Sequence, residues 1–320
     1  MGAVLASLSP YPQKVLLELF DEGQVEVRTV PDPPAPEAVR EAVAEADLVL
    51  GDKRHKHRLE GSTLEAMARC QLIQQPAVGF DAIDHRRAGE LGIPVANAAG
   101  YNRDAVADWT VLAILTLVRQ SALGDRRMRD GGWPAAELRG RELGALTVGL
   151  VGAGNTGAAV ASRLRAFGCG LLFADVIPRS LSGAAQVPLG MLLEQSDVVS
   201  VHVPLDRDTR HLLDASAFER MRPGAILVNA SRGPVVDEAA LIAALEKGQL
   251  GGAGLDVFEV EPLPEDSPLR RLDNVFLSPH IAGATEEAEA RLLETCGANL
   301  RRVLEGLDPF NVVNGVARRR

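Results

Sequence analysis

A glycine-rich segment near the middle of the chain has the spacing that lets a backbone approach phosphate groups. Residues 152–157 read Gly-Ala-Gly-Asn-Thr-Gly, follow the apolar run 146–151 and open the helix-like stretch 156–167. Gly152 permits a tight turn, Gly154 lets the backbone approach a pyrophosphate, and Gly157 lets the helix pack closely on the strand. The start of the helix then offers N–H donors to the phosphates. We call residues 152–157 the nucleotide loop.

An acidic residue follows the next apolar run at the distance expected for a ribose ligand. That run, LLFA, ends in Asp175. A carboxylate at this position accepts hydrogen bonds from the ribose and repels the 2′-phosphate of NADP, so the pattern favours NAD. Arg179 could instead neutralise a 2′-phosphate. The pattern does not name a reaction, because related loops bind FAD or a methyl donor, and a glycine turn without a ligand is the alternative.

Three further side chains could do chemistry, and each follows an apolar, strand-like run: Arg232, Glu261 and His280. Parallel α/β sheets bind ligands outside the carboxyl ends of their strands, so these positions favour a shared site. Each residue also has a structural interpretation. Arg232 could pair with Asp237, Glu261 could be a solvated loop acid, and His280 could be a buried histidine with its hydrogen bonds satisfied.

The elements that position these residues alternate between strand-like and helix-like stretches. The first hundred residues have a βαβ pattern, and a second series begins at residue 146 with the apolar runs LTVGLVG, DVVSVHV, AILVNA and GAGLDVF. Such runs are typical of parallel strands covered on both faces, which predicts a doubly wound α/β fold. Residues 105–119 predict a helix that is apolar on most faces. Residues 286–304 predict a final helix.

Composition excludes several classes of protein. The chain has 320 residues, which at ~150 residues per domain suggests two domains. Hydrophobic residues make up 46% and the formal charge is -9, so disorder is excluded and nucleic-acid or anionic membrane partners are disfavoured. No apolar run approaches the ~20 residues of a membrane span, and no signal peptide is evident, which predicts a cytoplasmic location. The cysteine spacing predicts no metal site.

Several longer motifs resemble one family. They are VGFDAID at 78–84, GYNRDAVAD at 100–108, NASRGPVVDEAAL at 229–241, GLDVFEVEPLP at 254–264 and SPHIAG at 278–283. With them the chain resembles the D-isomer-specific 2-hydroxyacid dehydrogenases. The resemblance implies two Rossmann-like or flavodoxin-like α/β domains with parallel sheets. An NAD-binding domain at 100–283 would be inserted in a substrate domain formed by 1–99 and 284–320.

The resemblance also implies a reaction, the NAD-dependent interconversion of a 2-oxo acid and a D-2-hydroxy acid by hydride transfer. Arg232 would bind the carboxylate and keto oxygen of the substrate, a task suited to a guanidinium group. His280 would donate a proton to the keto oxygen and remove it in the reverse direction. Glu261 would hold His280 in the productive tautomer. No metal takes part.

Further contacts are implied by the same resemblance. Beyond the glycines and Asp175, the cofactor would touch Asn155, Thr156, Val203, Pro204, Thr209, Ala230 and Asp256, with Asp256 at the nicotinamide amide. Backbone donors at Val78 and Gly79 would bind the substrate carboxylate. A plain turn between a strand and a helix is the alternative interpretation of this last segment.

Lys53–Arg58, the basic run, is unusual in an acidic protein. Its sequence KRHKHR favours a solvated turn, and recognition of a second anionic group on the substrate is the alternative. The partners predicted are a small 2-oxo or 2-hydroxy acid and a second copy of the chain, since a homodimer is expected from the family and from the apolar helix. Two alternatives stay open: an NADPH-preferring glyoxylate or hydroxypyruvate reductase, and a non-catalytic NAD(H)-sensing protein that resembles the corepressors of this family.

Overall fold

The computed structural model describes residues 2–30 and 35–317, and it divides the chain into two compact units. Unit 1 comprises Met1–Asn102 and Glu286–Arg320, and unit 2 comprises Arg103–Thr285. The domain boundaries predicted from the sequence, after residues 99 and 283, fall in the short turns that precede two long helices. Each unit has its own parallel sheet.

The strands and helices alternate along the chain. The strands are Ala3–Ser7 (β1), Val25–Thr29 (β2), Leu48–Leu50 (β3), Leu72–Gln74 (β4), Val95–Ala96 (β5), Thr147–Val151 (β6), Gly170–Ala174 (β7), Ala185–Gln186 (β8), Val198–Val201 (β9), Ala225–Asn229 (β10), Leu250–Leu255 (β11) and Val275–Leu277 (β12). The helices are Gln13–Leu17 (α1), Pro36–Ala44 (α2), Ser62–Glu65 (α3), His85–Glu90 (α4), Arg103–Val118 (α5), Ser121–Arg129 (α6), Asn155–Leu164 (α7), Leu189–Gln195 (α8), Ala215–Arg220 (α9), Glu238–Glu246 (α10) and Glu286–Leu304 (α11).

In unit 1 the described strands form a sheet of order β2-β1-β3-β4-β5, and every strand pair within it is parallel. This is the flavodoxin-like order. Helices α2, α3 and α4 pack on one face through Val39, Leu64 and Ala88 respectively. Helices α1 and α11 cover the other face through Leu16 and Leu292. Both faces are therefore covered, which is why the central strands β1, β3 and β4 are almost entirely buried, whereas the edge strand β2 alternates between buried and exposed residues.

In unit 2 the described strands form a sheet of order β12-β11-β10-β9-β6-β7-β8, again with every pair parallel. The connections run outward in both directions from β6 and β9, so the strand order reverses between these two strands. Parallel sheets bind ligands at such a reversal, beyond the carboxyl ends of the strands. The predicted α/β class with parallel sheets is confirmed.

Helix α5 is the apolar helix expected from the sequence, and it packs within unit 2 against α7 and the strands β10 to β12. A Cβ added to Gly254 of β11 would lie 3.2 Å from the Cβ of Ala113, so the glycine lets helix and strand approach closely. Among the described residues, no single helix has the length and apolar composition to cross a membrane. Helices α5 and α6 reach that threshold only as a pair, with a 67° bend between them.

Candidate active site

The nucleotide loop joins β6 to α7 at the point where the strand order of unit 2 reverses. Gly152 has φ +98°, a conformation that side chains rarely adopt, and its N–H donates to the carbonyl of Ala174 at 2.8 Å. A Cβ on Gly152 would lie 2.8 Å from the carbonyl oxygen of His202, and a Cβ on Gly157 would lie 2.2 Å from that of Gly152. Both positions therefore require glycine.

The remaining glycine of the loop faces open space. A Cβ added to Gly154 would meet no atom within 4 Å, and no side chain caps the first turn of α7, which begins at Asn155 and Thr156. Uncapped N–H groups at a helix start are donors for an anion. The loop thus has the room and the donors that the pyrophosphate of a dinucleotide needs.

Asp175 follows β7 directly and is held by three donors. Its Oδ2 accepts hydrogen bonds from the N–H of Ala153 at 2.9 Å and from Nε of Arg179 at 2.9 Å, and its Oδ1 accepts from the N–H of Ile177 at 3.2 Å. Burial acts to raise the pKa of Asp175, but these hydrogen bonds and the charge of Arg179 outweigh it and lower the pKa. The carboxylate therefore stays ionised beside the nucleotide loop, as a ribose acceptor must.

The three candidate catalytic residues follow adjacent strands of one sheet. Arg232 comes after β10, Glu261 after β11 and His280 after β12, and these strands are neighbours in the order β12-β11-β10. Carboxyl ends of parallel strands meet at one edge, so the fold gathers side chains that are far apart in sequence. The prediction of a shared edge from strand-like runs agrees with this arrangement.

The loop that carries Arg232 is held by the last residue of β10. Asn229 is buried, its Oδ1 accepts hydrogen bonds from the N–H and the hydroxyl of Ser231 at 3.0 and 2.8 Å, and its Nδ2 donates to the carbonyl of Arg232 at 3.0 Å. The guanidinium donates to the Ser231 carbonyl at 2.8 Å. Asp237, the partner considered above, caps α10 by accepting from the N–H of Ala240 at 2.9 Å.

The loop that carries His280 is held by a buried carboxylate. Asp256 is 1% exposed. Its Oδ1 accepts from the Ser278 hydroxyl and, at 2.8 Å, from the N–H of Ile281, while its Oδ2 accepts from the N–H of Ala282 at 2.7 Å. The carbonyl of Asp256 also accepts from the N–H of His280 at 2.9 Å. The sequence suggested a nicotinamide contact for Asp256, and the structure shows its carboxylate anchoring this loop.

Glu261 and His280 form a hydrogen-bonded pair. Glu261 Oε2 lies 2.7 Å from His280 Nδ1, and Glu261 Oε1 accepts from the N–H of Phe258 at 3.0 Å. The imidazole is 49% exposed, so His280 is not the buried histidine of the structural interpretation. Burial acts to raise the pKa of Glu261, but the hydrogen bond and charge of His280, the Phe258 N–H and the charge of Arg232 lower it. Glu261 is therefore a paired carboxylate.

The Arg232 and Glu261 loops pack directly on one another. A Cβ on Gly233 would lie 1.8 Å from the carbonyl oxygen of Phe258, so only glycine allows this approach. The contact brings the cationic Arg232 close enough to lower the pKa of Glu261. An arginine, a histidine and a carboxylate together can bind an anionic substrate and move a proton to or from it.

The other predicted cofactor residues lie beyond β9 and β10 of unit 2. Val203 and Pro204 follow β9, the strand next to β6, and Ala230 follows β10. The Thr209 hydroxyl donates to the carbonyl of Pro204 at 2.7 Å and accepts from the N–H of Asp206 at 2.8 Å. Thr209 therefore stabilises its own turn, and its predicted contact with the cofactor stays a prediction.

The predicted substrate residues belong to unit 1 and follow β4. Val78 is 40% exposed, its carbonyl accepts from Nδ2 of Asn97 at 2.7 Å, and the preceding carbonyl of Ala77 accepts from the N–H of Ala98 at 3.0 Å. Two hydrogen bonds thus fix the peptide that leads to Gly79. The backbone-donor role of Val78 and Gly79 stays a prediction.

The basic run follows β3 and is an ordered loop rather than a freely solvated turn. Asp52, whose side chain is fully buried, accepts hydrogen bonds from the N–H groups of Arg54, Lys56 and His57 at 3.0, 2.9 and 3.2 Å. Lys53 pairs with Glu289 of α11. A single buried carboxylate therefore organises the run. In the described ranges, 2–30 and 35–317, no three His, Cys, Asp or Glu side chains are grouped as metal ligands.

Sequence reasoning missed two histidines beside the site. His202 follows β9, and its Nε2 lies 2.9 Å from the hydroxyl oxygen of Ser200. Burial lowers the pKa of His202 to about 4. His211 pairs with Glu259, on the loop that carries Glu261. The sequence signal that could have marked them is their position: His202 directly follows a strand-like run, and His211 lies in the loop after it.

Comparisons with known proteins point to one family. A family model described as "D-isomer specific 2-hydroxyacid dehydrogenase, NAD binding domain" matches residues 111–282. A glyoxylate reductase from Korarchaeum cryptofilum is 37% identical over 311 residues, covering 95% of this chain and 93% of that protein. The crystal structure of the TT0316 protein from Thermus thermophilus superposes with a TM-score of 0.87 at 36% identity, covering 97% of this chain and 99% of that chain.

A second similar structure was solved with its cofactor and a hydroxy acid bound. The D-lactate dehydrogenase from Aquifex aeolicus, complexed with NAD and lactic acid, superposes with a TM-score of 0.85 at 30% identity, covering 98% of this chain and 99% of that chain. The family predicted from the sequence motifs is confirmed. This chain belongs to the D-isomer-specific 2-hydroxyacid dehydrogenase family of NAD-binding oxidoreductases.

Proposed function

We propose that the protein reduces a small 2-oxo acid to a D-2-hydroxy acid, and catalyses the reverse reaction, with His280 as the acid and base. The observation that carries the proposal is the 2.7 Å contact between His280 Nδ1 and Glu261 Oε2, beside the loop that bears Arg232. A carboxylate on Nδ1 selects the tautomer that carries its proton on Nδ1, which leaves Nε2 as the nitrogen that gains and loses a proton.

Each residue then has one role in the reaction. Bound NAD(H) supplies or accepts the hydride. Arg232 binds the substrate carboxylate and polarises its keto group, because a guanidinium presents two parallel donors to a carboxylate. His280 donates a proton from Nε2 to the keto oxygen during reduction and removes it during oxidation. Glu261 stabilises the protonated imidazole. Val78 and Gly79 supply backbone donors to the substrate carboxylate.

Glyoxylate is the first substrate to test, because the similar protein from Korarchaeum cryptofilum is named a glyoxylate reductase. The motif resemblance adds hydroxypyruvate, and the solved D-lactate dehydrogenase adds pyruvate. The assay follows the loss of NADH absorbance with each 2-oxo acid and with phosphohydroxypyruvate. Turnover with one of these acids, absent in His280→Ala, supports the proposal.

A matched pair of variants tests the role of the carboxylate. Glu261→Gln removes the charge that faces His280, and we expect kcat to fall by about 10²-fold, the size of effect that a general acid or base contributes. Glu194→Gln is the control, because Glu194 also forms a 2.7 Å ion pair in unit 2, with Arg220, away from the site. Equal kcat in the two variants would overturn the role given to Glu261.

NAD is the cofactor that we propose, on the strength of the ionised Asp175 beside the nucleotide loop. One observation favours NADPH as a second candidate: Arg179 already contacts Asp175 at 2.9 Å and could turn its guanidinium to a 2′-phosphate. Comparing kcat/KM for NADH and NADPH decides between them. If Asp175 selects NAD, Asp175→Ala relaxes the preference, whereas Arg179→Ala leaves it unchanged.

A binding protein that senses NAD(H) is the remaining alternative. It would bind NADH tightly and show no turnover with any of the 2-oxo acids. Fluorescence titration with NADH on the same preparation as the turnover assay separates this outcome from a protein that has lost its fold. Tight binding without turnover would overturn the enzymatic proposal.

A further inference from the structure

Glu259, on the loop that carries Glu261, forms a second histidine–glutamate pair with His211, which lies on the loop after β9. His211 Nε2 is 2.5 Å from Glu259 Oε1, and the two side chains are 40% and 32% exposed. Glu259 stands between Phe258, whose N–H binds Glu261, and Glu261 itself. A contact that fixes Glu259 therefore also restrains residues 258–261, the segment that positions the Glu261 carboxylate beside His280.

The backbone of His211 holds a different loop. Its N–H donates to the carbonyl of Pro234 at 2.8 Å, in the turn that follows Arg232. Nearby, the N–H of Leu213 donates to the carbonyl of Val235 at 3.2 Å. His211 has φ +52°, which is uncommon for a residue with a side chain and persists only where the surroundings enforce it. One residue thus joins the Arg232 loop to the Glu261 loop.

Glu259 is also held from a third element. Its N–H donates to Oε2 of Glu238, the first residue of α10, at 3.1 Å. Burial and the charge of Glu259 raise the pKa of Glu238, although the hydrogen bond from Glu259 opposes the rise. The side chain of Glu259 is therefore bound by a cation or donor and its backbone by an acceptor. The two contacts hold Glu259 from opposite partners, one through its side chain and one through its backbone.

We propose that His211 is a positioning residue that holds the Arg232 and Glu261 loops in register, so that Glu261 stays aligned with His280. This inference rests on the roles proposed above for Glu261 and His280. The charged groups that face Glu261 are His280 and Arg232, and those that face Glu259 are His211 and Glu238. The side chain of His211 acts on the catalytic pair only through Glu259.

Replacement of His211 should change the pKa of Glu261 and not only the stability of the protein. In His211→Ala the 258–261 segment is released on one side, and the Glu261 carboxylate loses part of its contact with His280 and with the Phe258 N–H. These two contacts lower the pKa of Glu261, so its pKa rises towards the usual value of 4.5. We expect kcat to fall by about 10-fold, since small misplacements of catalytic groups cost up to ~10²-fold.

Two measurements test the proposal on the full chain. The pKa of Glu261 is read from the ¹³C shift of its carboxyl in glutamate-labelled protein, and the Glu261→Gln spectrum identifies that resonance. The acid limb of kcat/KM against pH is measured with NADH and glyoxylate. His211→Gln is the rescue variant, because its amide keeps a donor that can reach Glu259. Arg220→Ala is the control, since it removes another exposed ion pair of unit 2.

The expected result is a higher Glu261 pKa and a lower kcat in His211→Ala, both largely restored in His211→Gln and absent in Arg220→Ala. NADH affinity should not change. A folded His211→Ala protein with an unaltered Glu261 pKa would overturn the inference. If His211→Ala does not fold, Glu259→Gln, which keeps an acceptor but loses the charge, is measured against the same two outcomes.

The two readouts separate this inference from the proposed function. The carboxyl titration needs no turnover, so it tests the positioning role even in a protein that reduces none of the 2-oxo acids. Lack of turnover by the unmodified protein would reject the proposed function alone. An unchanged titration beside normal turnover of the unmodified protein would reject the positioning role alone.

Discussion

Replacement of Asp256 by asparagine tests how the fold holds the candidate proton donor. The buried Asp256 carboxylate accepts three hydrogen bonds from the loop that carries His280. Asparagine has nearly the same shape, but only one of its two terminal atoms accepts. Its oxygen can keep the Ser278 and Ile281 donors, and its NH₂ then faces the N–H of Ala282. The Ala282 N–H and the new NH₂ group are then two buried donors that face each other without an acceptor.

The size of the effect follows from this count. A hydrogen bond to a charged group contributes about 1.5–3 kcal/mol, and a buried donor left unsatisfied costs about 1–3 kcal/mol. We expect Asp256→Asn to lower the free energy of unfolding by about 3 kcal/mol. Because the same contacts hold the His280 loop, displacement of the imidazole by ~1 Å would lower kcat by about 10²-fold.

Urea unfolding followed by circular dichroism measures the stability, and turnover of NADH with a 2-oxo acid measures kcat. Asp214→Asn is the matched control. Asp214 caps α9 by accepting from the N–H of Ala217 at 2.9 Å, and asparagine caps helices nearly as well as aspartate. The control should therefore keep both stability and kcat.

Unchanged stability in Asp256→Asn would refute the anchoring role. If stability and kcat were both kept while NADH bound more weakly, the carboxylate would act on the nicotinamide amide, as the sequence motif suggested. The two roles for Asp256 thus predict different observables for one variant.

Three further predictions concern single residues, and a fourth concerns the oligomeric state. Gly157→Ala should weaken NADH binding in a fluorescence titration, because its Cβ would lie 2.2 Å from the Gly152 carbonyl oxygen, and unchanged affinity would contradict the close packing. Because the folded pKa of Glu261 is lowered, the stability that its pair with His280 contributes should be full above pH 4.5 and lost below it. A difference in stability between the unmodified protein and Glu261→Gln that grows below pH 4.5 would refute this. Because burial lowers the pKa of His202 from 6.5 to about 4, stability should fall as the pH drops through that interval, and His202→Gln should flatten the fall. Sedimentation should give a dimer, and a monomer at micromolar concentration would reject that expectation.

Much of the fold could be predicted because its signals are local. The helix expected at 286–304 is α11, with the same bounds, since the spacing of its apolar residues is a local pattern. The nucleotide loop also follows from neighbours: Gly152 needs a positive φ and Gly157 needs a close approach within a few residues. Arg232, Glu261 and His280 could be chosen as candidates because the motifs around them resemble those of one family and because each follows a strand-like run.

The strand order, and with it the site, was decided only by the tertiary structure. Placing β10, β11 and β12 side by side is what brings Glu261 to 2.7 Å from His280 across 19 residues of sequence. The anchoring of His280 by Asp256 and the pairing of His211 with Glu259, 48 residues apart, have no local signal. A sequence pattern reflects the local structure that neighbouring residues favour. These contacts instead arise from packing between loops that are far apart in sequence, and no local pattern specifies such packing.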